Sequence, residues 1–136
     1  MSKPKVAFIC VHNSCRSQMA EAISKLYAAD VFEAYSAGTE IKSEINPDAV
    51  RIINQLYGVD MTLTQHNKLI DALPPVDVVI TMGCGVSCPL LPCRYREDWG
   101  LDDPSGKDDK EFIKTAKIIE QNVLELKKNI HKLLGE

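Results

Sequence analysis

Neither sign of charge dominates this chain of 136 residues, and no apolar run approaches the length of a membrane span. The 16 lysines and arginines stand against 19 aspartates and glutamates, which leaves a net charge of −3. That balance argues against nucleic-acid or membrane-surface binding that depends on bulk charge. A helix that crosses a bilayer needs about 20 apolar residues, so no transmembrane helix is expected.

The start of the chain also lacks the features of a secretory signal. Met-Ser-Lys-Pro-Lys leads directly into the first apolar run, and the sequence contains no internal repeat and no low-complexity linker. These absences predict one cytoplasmic, monomeric domain over residues 1–136, large enough to bury a core. The five cysteines then favour redox or metal chemistry over a disulfide framework.

Apolar patterning indicates strands that alternate with helices along the chain. The predicted strands are residues 5–9, 32–36, 76–82 and 94–97, and the predicted helices are 17–28, 46–57 and a long one from 108. The third strand is almost continuously apolar, as buried parallel strands are. This order predicts an α/β fold with a parallel sheet, whose functional site lies at the carboxyl ends of the strands.

Residues 10–17, Cys-Val-His-Asn-Ser-Cys-Arg-Ser, join the first strand to the first helix and are called the oxyanion loop below. A strand, a tight loop and a helix N-terminus direct backbone N–H groups at one point, where a tetrahedral oxyanion is favoured. The same field favours the thiolate form of Cys10. Arg16 can bind two oxygens of the anion at once. The simplest alternative is a buried cysteine at a strand end beside a surface arginine.

The other loop residues have narrower roles. The residues expected to surround the oxyanion are Val11, His12, Asn13, Ser14, Cys15, Arg16 and Ser17. Ser17 has two expected roles, as the cap of the helix and as a hydrogen-bond partner of the Cys10 thiolate, and the two are compatible. Asn13 suits a left-handed backbone that turns N–H groups inward. Cys15 is expected to point into the core without chemistry.

A second group of thiols, Cys84, Cys88 and Cys93, follows the third strand in a segment rich in glycine and proline. A zinc site is one interpretation, although the spacing misses the usual Cys-x2-Cys pattern. Inert buried thiols are another, and for Cys93 this is as good as any. The third is a thiol relay that reaches Cys10 from the same sheet edge, which we favour for Cys84 and Cys88.

Asp102-Asp103-Pro104 offers a carboxyl group on a loop stiffened by proline. Such a group can protonate an oxygen that leaves the Cys10 adduct. The alternative is a simple turn that leads into the last helix. Beside the oxyanion loop, the acid role of one aspartate is favoured, with Trp99 as the anchor of this segment on the core.

Four segments resemble the low-molecular-weight protein tyrosine phosphatase family, and more closely the arsenate reductases built on that fold. They are Cys10–Glu21, Tyr35–Gly38, Asp77–Cys84 and Asp98–Pro104. The resemblance implies a four-stranded parallel sheet with helices on both faces. It also implies Cys10 as nucleophile, Arg16 as oxyanion binder and Asp103 as general acid.

For an arsenate reductase, the implied reaction starts with attack of Cys10 on arsenic while Asp103 protonates the departing oxygen. Cys84 then attacks Cys10 and arsenite leaves. Cys88 or Cys93 carries the disulfide outwards, and thioredoxin or a small thiol resets it, with no tightly bound cofactor. Thioredoxin-coupled reductases have a wider gap between the two resolving cysteines than this chain, and Met-Gly-Cys-Gly also resembles reductases that use a small thiol.

Other functions stay open. A phosphomonoesterase would need only Cys10, Arg16 and the aspartate, although Ser105 stands where phosphotyrosine phosphatases usually have an aromatic residue. A thiol module that binds zinc or arsenite would use the second cysteine group. We expect no resident metal. Potassium is the open alternative, because some such reductases bind it at residues matching Asn13, Glu21 and Ser36, but the aspartate expected near position 65 is absent.

Overall fold

Four strands and three α-helices make up the part of the chain that the computed structural model describes, residues 3–13, 15–40, 44–83 and 91–135. The strands are β1 (Lys5–Cys10), β2 (Glu33–Gly38), β3 (Val78–Thr81) and β4 (Tyr95–Asp98). The α-helices are α1 (Arg16–Tyr27), α2 (Pro47–Tyr57) and α3 (Asp109–Leu133). Two 3-10 helices, Met61–Leu63 and Ile70–Ala72, lie between α2 and β3.

All strand pairs are parallel, in the order β2-β1-β3-β4. In this register Cys10 stands opposite Gly38, Ile9 opposite Thr81, and Thr81 opposite Asp98. The carboxyl ends of the four strands therefore share one edge, from which the oxyanion loop and the segments after β3 and β4 depart. The predicted α/β fold with a four-stranded parallel sheet is confirmed.

The two faces of the sheet are covered differently. The larger apolar cluster joins the β1 side chains Val6 and Phe8 to all three α-helices. The smaller cluster lies on the other face, where Ile9 and its neighbours pack against Ile70 of the second 3-10 helix. Helical segments thus lie on both faces, as expected. No helix in the described ranges is long and apolar enough to cross a membrane.

The long helix α3 buries the apolar stripe that its sequence predicts. The buried members are Phe112, Ala116, Ile119, Val123, Leu126 and Ile130. Leu133, at the end of the same stripe, is only half-buried, while Leu134 just beyond the helix is buried. A 3.6-residue period thus locates the face of a helix well but its last turn less well.

Element ends follow local capping where a strong signal exists and tertiary pairing where none does. Asn46 caps α2 by accepting from the N–H groups of Asp48 and Ala49, and Gly58 ends that helix in a left-handed conformation, which agrees with the predicted range 46–57. Helix α1 starts at Arg16, one residue earlier than predicted. Strand β2 extends to Gly38 because it pairs with β1 as far as Cys10, which its own sequence does not reveal.

We expect Gly38→Ala to disturb the oxyanion loop selectively. An added methyl group at Gly38 would lie 2.6 Å from the Val11 carbonyl oxygen and 2.8 Å from the Asn13 nitrogen, both closer than van der Waals contact. We expect a loss of about 1–3 kcal/mol in the free energy of unfolding and weaker phosphate binding. Urea unfolding and phosphate titration measure the two effects.

Gly58→Ala is the matched control. Gly58 has a φ of +69° but open space around its Cα, so alanine there costs about 1–2 kcal/mol through backbone strain alone. Phosphate affinity should not change in this variant. Equal weakening of phosphate binding in both variants would show that the close approach of Gly38 to the loop does not matter.

Candidate active site

The oxyanion loop surrounds a cavity of about 250 Å³ at the carboxyl edge of the sheet. Its lining residues are Cys10, Val11, His12, Cys15, Arg16, Asp103 and Ser105. The predicted nucleophile, oxyanion binder and general acid therefore meet at one place, although they come from two separate parts of the chain. Ser14 lies outside the described residues.

The Cys10 sulfur lies 2.8 Å from the Ser17 hydroxyl oxygen in a buried contact. The Asn13 side-chain oxygen accepts from the backbone N–H of Lys68 at 2.9 Å, so the Asn13 amide nitrogen faces Ser17, to which it donates at 2.8 Å. A serine hydroxyl that accepts one hydrogen bond keeps its own proton, so Ser17 can donate to the Cys10 sulfur.

Two of the expectations for the loop are settled by this arrangement. Asn13 has a φ of +51°, the left-handed conformation expected of it. Ser17 is the hydrogen-bond partner of the thiol and does not cap the helix. The N-cap position of α1 belongs to Cys15, and no side chain makes a capping hydrogen bond there.

Arg16 is held in place by backbone carbonyl groups of two other segments, one that follows β3 and one that follows β4. Its Nη1 donates to the carbonyl oxygens of Met82 at 2.6 Å and Leu101 at 2.8 Å. Its Nη2 lies 4.0 Å from Asp103 Oδ2. The segments after β3 and β4 thus orient the guanidinium group that begins helix α1, and the site depends on three loops at once.

Asp103, and not its neighbour Asp102, lines the cavity. The Asp103 side chain is about half exposed, at 51%, and its Oδ1 accepts from the backbone N–H of Ser105 at 3.0 Å. Trp99 anchors this segment as predicted, because its ring centroid lies 5.5 Å from that of the buried Phe8. A partly hydrated carboxyl group on an anchored segment can deliver a proton into the cavity.

Two further loop residues have little chemistry of their own. Cys15 is buried, and its loss of hydration, together with the nearby charge of Asp103, raises the pKa of the thiol to about 12. His12 lies at the rim, with Nε2 4.0 Å from Glu40 Oε2. Cys15 is therefore a protonated, inert thiol at neutral pH, as the sequence indicates.

Of the second cysteine group, only Cys93 lies within the described residues, and Cys84 and Cys88 lie outside them. Cys93 is half-buried just before β4, on the face of the sheet opposite to the three α-helices. In the strand register Cys10 is level with Trp99. Cys93 lies six positions before Trp99, so roughly 20 Å separate Cys93 from the site at 3.3 Å per residue. The structure does not bring Cys93 to Cys10.

The described residues also contain no group of three or more His, Cys, Asp or Glu side chains that could hold a metal ion. The residues that match a potassium site do not fit that ion. The Glu21 carboxylate is buried and already meets two ammonium groups, Lys25 at 2.5 Å and Lys68 at 3.8 Å. The Ser36 hydroxyl donates to the same carboxylate at 2.6 Å. The Asn13 side-chain oxygen accepts two hydrogen bonds, and a cation at Glu21 would have to displace one of the two lysines.

The segment 65–68 makes hydrogen bonds that support the oxyanion loop, and no feature of the sequence indicates this role. The Asn67 side chain donates to the Asn13 carbonyl oxygen at 2.8 Å, and the Lys68 N–H binds the Asn13 side chain. The His66 side chain is exposed, but its carbonyl oxygen accepts from Gln18 at 3.0 Å. No spacing or period marks these residues, because only the tertiary fold brings position 66 to position 18.

A thiol and an arginine in one strand-to-helix loop, opposite an aspartate, define a phosphatase-type oxyanion site. The chain belongs to the low molecular weight phosphotyrosine protein phosphatase family, whose model matches residues 5–134. The resemblance seen in the sequence is thereby confirmed.

Within this family the chain is similar to proteins named arsenate reductase. That of Shouchella clausii (strain KSM-K16) is 44% identical over 110 residues, 77% of each chain. A solved arsenate reductase in the phosphate binding state is 34% identical with a TM-score of 0.82, covering 96% of this chain and 99% of that one. The Corynebacterium glutamicum thioredoxin-dependent arsenate reductase is 36% identical with a TM-score of 0.76, covering 96% and 63%.

We expect Cys15 to stay unmodified when the folded, reduced protein is treated with iodoacetamide at pH 8. Its pKa of about 12 keeps the thiol protonated at that pH, and the small thiolate fraction is buried. Fragmentation of the tryptic peptide 6–16 by mass spectrometry separates modification at Cys10 from modification at Cys15. The same treatment in urea is the control and should modify both, whereas equal rates in the folded protein would contradict the burial of Cys15.

We expect no specific response to potassium. Because Lys25 and Lys68 already neutralise Glu21, potassium chloride and choline chloride at equal ionic strength should give the same melting temperature. Differential scanning fluorimetry measures the comparison. A melting temperature that rises only with potassium, and saturates, would show that the ion displaces a lysine from the carboxylate.

Proposed function

We propose that this protein reduces arsenate to arsenite, with Cys10 as the nucleophile. One observation carries the proposal. The Cys10 sulfur is hydrogen-bonded to the Ser17 hydroxyl and lines a cavity that also presents Arg16 and Asp103. This arrangement suits a tetrahedral oxyanion, and relatives that share most of the chain are named arsenate reductases.

The first step forms a bond between Cys10 sulfur and arsenic. Arg16 binds oxygens of the arsenate, and the thiolate attacks arsenic from the base of the cavity. One arsenic–oxygen bond breaks, and Asp103 supplies a proton so that this oxygen leaves as water. Arsenic is still As(V) at this stage, because no electrons have been transferred to it.

The second step reduces arsenic. The Cys84 thiolate attacks the Cys10 sulfur, a Cys10–Cys84 disulfide forms, and the sulfur–arsenic bond breaks with its electron pair on arsenic. As(V) becomes As(III), which leaves as arsenite, and the two thiols are oxidised. Chain length supports Cys84 in this role, because it is only two positions along the chain from Met82, whose carbonyl binds Arg16. Two residues span at most about 7 Å.

The third step returns Cys10 to its thiolate. We assign the attack on Cys84 to Cys88 and not to Cys93, because Cys93 lies at the opposite edge of the sheet. The Cys84–Cys88 disulfide is then reduced by an external dithiol or small thiol. A thioredoxin is the first choice, since the Corynebacterium glutamicum relative is named thioredoxin-dependent. This cycle needs reduced cysteines, which suits a monomer in the cytoplasm.

The test is arsenate reduction with three reductant systems: thioredoxin with its reductase and NADPH, a small-thiol system with NADPH, and neither. We expect arsenate-dependent NADPH oxidation with at least one of the first two and none with the third. Rapid hydrolysis of an aryl phosphate without reductant, together with no arsenate reduction, would show that the protein is a phosphatase.

A set of single cysteine variants tests the order of the thiols. Cys10→Ser should lower the rate by more than about 1,000-fold, because it removes the nucleophile. Cys84→Ser and Cys88→Ser should stop multiple turnover. Cys93→Ser is the matched control and should stay within about two-fold of the unaltered protein, because Cys93 lies far from the site. Full multiple turnover by Cys84→Ser would disprove the relay.

A further inference from the structure

A chain of side-chain amides extends from the oxyanion loop into the protein, beyond the residues that contact the cavity. The Gln18 amide nitrogen donates to the Asn13 side-chain oxygen at 3.0 Å, and Gln65 Nε2 donates to Gln18 Oε1 at 2.7 Å. Gln18 and Asn13 are fully buried, and Gln65 is 6% exposed. Two buried glutamines therefore stand behind the residue that orients Ser17.

Backbone carbonyls determine which way each amide points. Gln18 Nε2 also faces the carbonyl oxygens of Asn13 at 2.9 Å and His66 at 3.0 Å, which can only accept, so its two protons are shared among three acceptors that include the Asn13 side-chain oxygen. Its side-chain oxygen must then face Gln65, whose Nε2 also donates to the Gln18 carbonyl oxygen at 3.0 Å. Neither amide can be turned over without placing oxygen against oxygen.

We propose that Gln18, oriented by Gln65, is a positioning residue for the nucleophile: it holds the Asn13 amide so that the Ser17 proton is directed at the Cys10 sulfur. The hydrogen bonds run in one direction from Gln65 through Gln18 and Asn13 to Ser17, and the proposed donation from Ser17 to Cys10 continues that order. Donors aligned in this way polarise one another, and the last of them stabilises the thiolate. Neither glutamine touches the substrate cavity.

The Lys68 N–H also holds the Asn13 side chain, so the contribution of Gln18 is partial. Loss of Gln18 leaves the Asn13 oxygen with one donor instead of two and frees the amide to tilt away from Ser17. The charged and titratable groups that line the Cys10 cavity are His12, Cys15, Arg16 and Asp103. The hydrogen bonds that the Gln18 side chain donates go to Asn13 and His66, and those that the Gln65 side chain donates go to Gln18, so neither substitution removes a charge from the cavity.

The experiment measures the rate of Cys10 alkylation by iodoacetamide against pH, in the full-length reduced protein. The variants are Gln18→Met and Gln65→Met, which keep a similar side-chain length and add no charge. Fragmentation of the tryptic peptide 6–16 reports on Cys10 alone. We expect the midpoint of the pH profile to rise by roughly half to one pH unit in Gln18→Met, and by less in Gln65→Met.

Ser24→Ala is the control for a buried polar change in the same helix. Ser24 is fully buried and its hydroxyl has no hydrogen-bond partner among the described residues, so its removal should leave the alkylation profile unchanged. Circular dichroism and urea unfolding establish that each variant is folded. If Gln18→Met does not fold, Gln65→Met at the outer end of the chain decides the question.

An unchanged midpoint in every folded glutamine variant would overturn the proposal, even if those variants were less stable. A raised midpoint with Ser24→Ala unchanged would support it. The inference rests on Cys10 as the proposed nucleophile but not on arsenate as the substrate. Because alkylation uses no oxyanion and no reductant, the positioning role and the proposed reaction can fail separately.

Discussion

A buried hydrogen bond between the Ser17 hydroxyl and the Cys10 sulfur is the interaction on which this end of the molecule depends. It requires Asn13 in a left-handed conformation, and that conformation needs donors from a distant segment. Gly38 must come within contact of the loop, which only a residue without a side chain allows. One short contact thus constrains the loop, the end of β2 and the segment 65–68.

The positive charge in the site is held in place by backbone carbonyl oxygens more than by an ion pair. The Arg16 guanidinium group is held by two carbonyl oxygens, so its position does not depend on Asp103, which stays half exposed and able to exchange protons. Further back, the buried Glu21 carboxylate is matched by two lysines of the same chain. A buried charge without such partners would be costly, so both arrangements are built from neighbours that the fold supplies.

The split between the two cysteine groups explains why a phosphatase-type site suits a reduction. The oxyanion loop activates one thiol and keeps the other, Cys15, protonated by burial. Further thiols must then arrive from outside the loop. Strand β3 ends at the same edge of the sheet as the oxyanion loop, while Cys93 lies just before β4, at the far edge.

Local sequence determined the elements whose signals are local. Asn46 and Gly58 mark the two ends of α2, the period of α3 marks its buried face, and the Cys10–Ser17 pattern marks the oxyanion loop with its nucleophile and arginine. Strand alternation and helix periods depend on neighbours three or four residues away, so a single chain displays them. The choice of Asp103 over Asp102 followed from resemblance, and the lining of the cavity agrees with it.

Only the tertiary structure decided what depends on contacts distant in sequence. The end of β2 follows from its pairing with β1, and the hydrogen-bonding role of Ser17 follows from Asn13 and Lys68. The contact of Lys68 with Glu21 and the hydrogen bond between Gln65 and Gln18 likewise join positions that no sequence spacing relates. The distance of Cys93 from the site also follows from the fold. The chemistry of the loop is thus determined by the sequence of residues 10–17, whereas the direction of its hydrogen bonds is determined by the fold, because backbone groups some 50 residues away complete them.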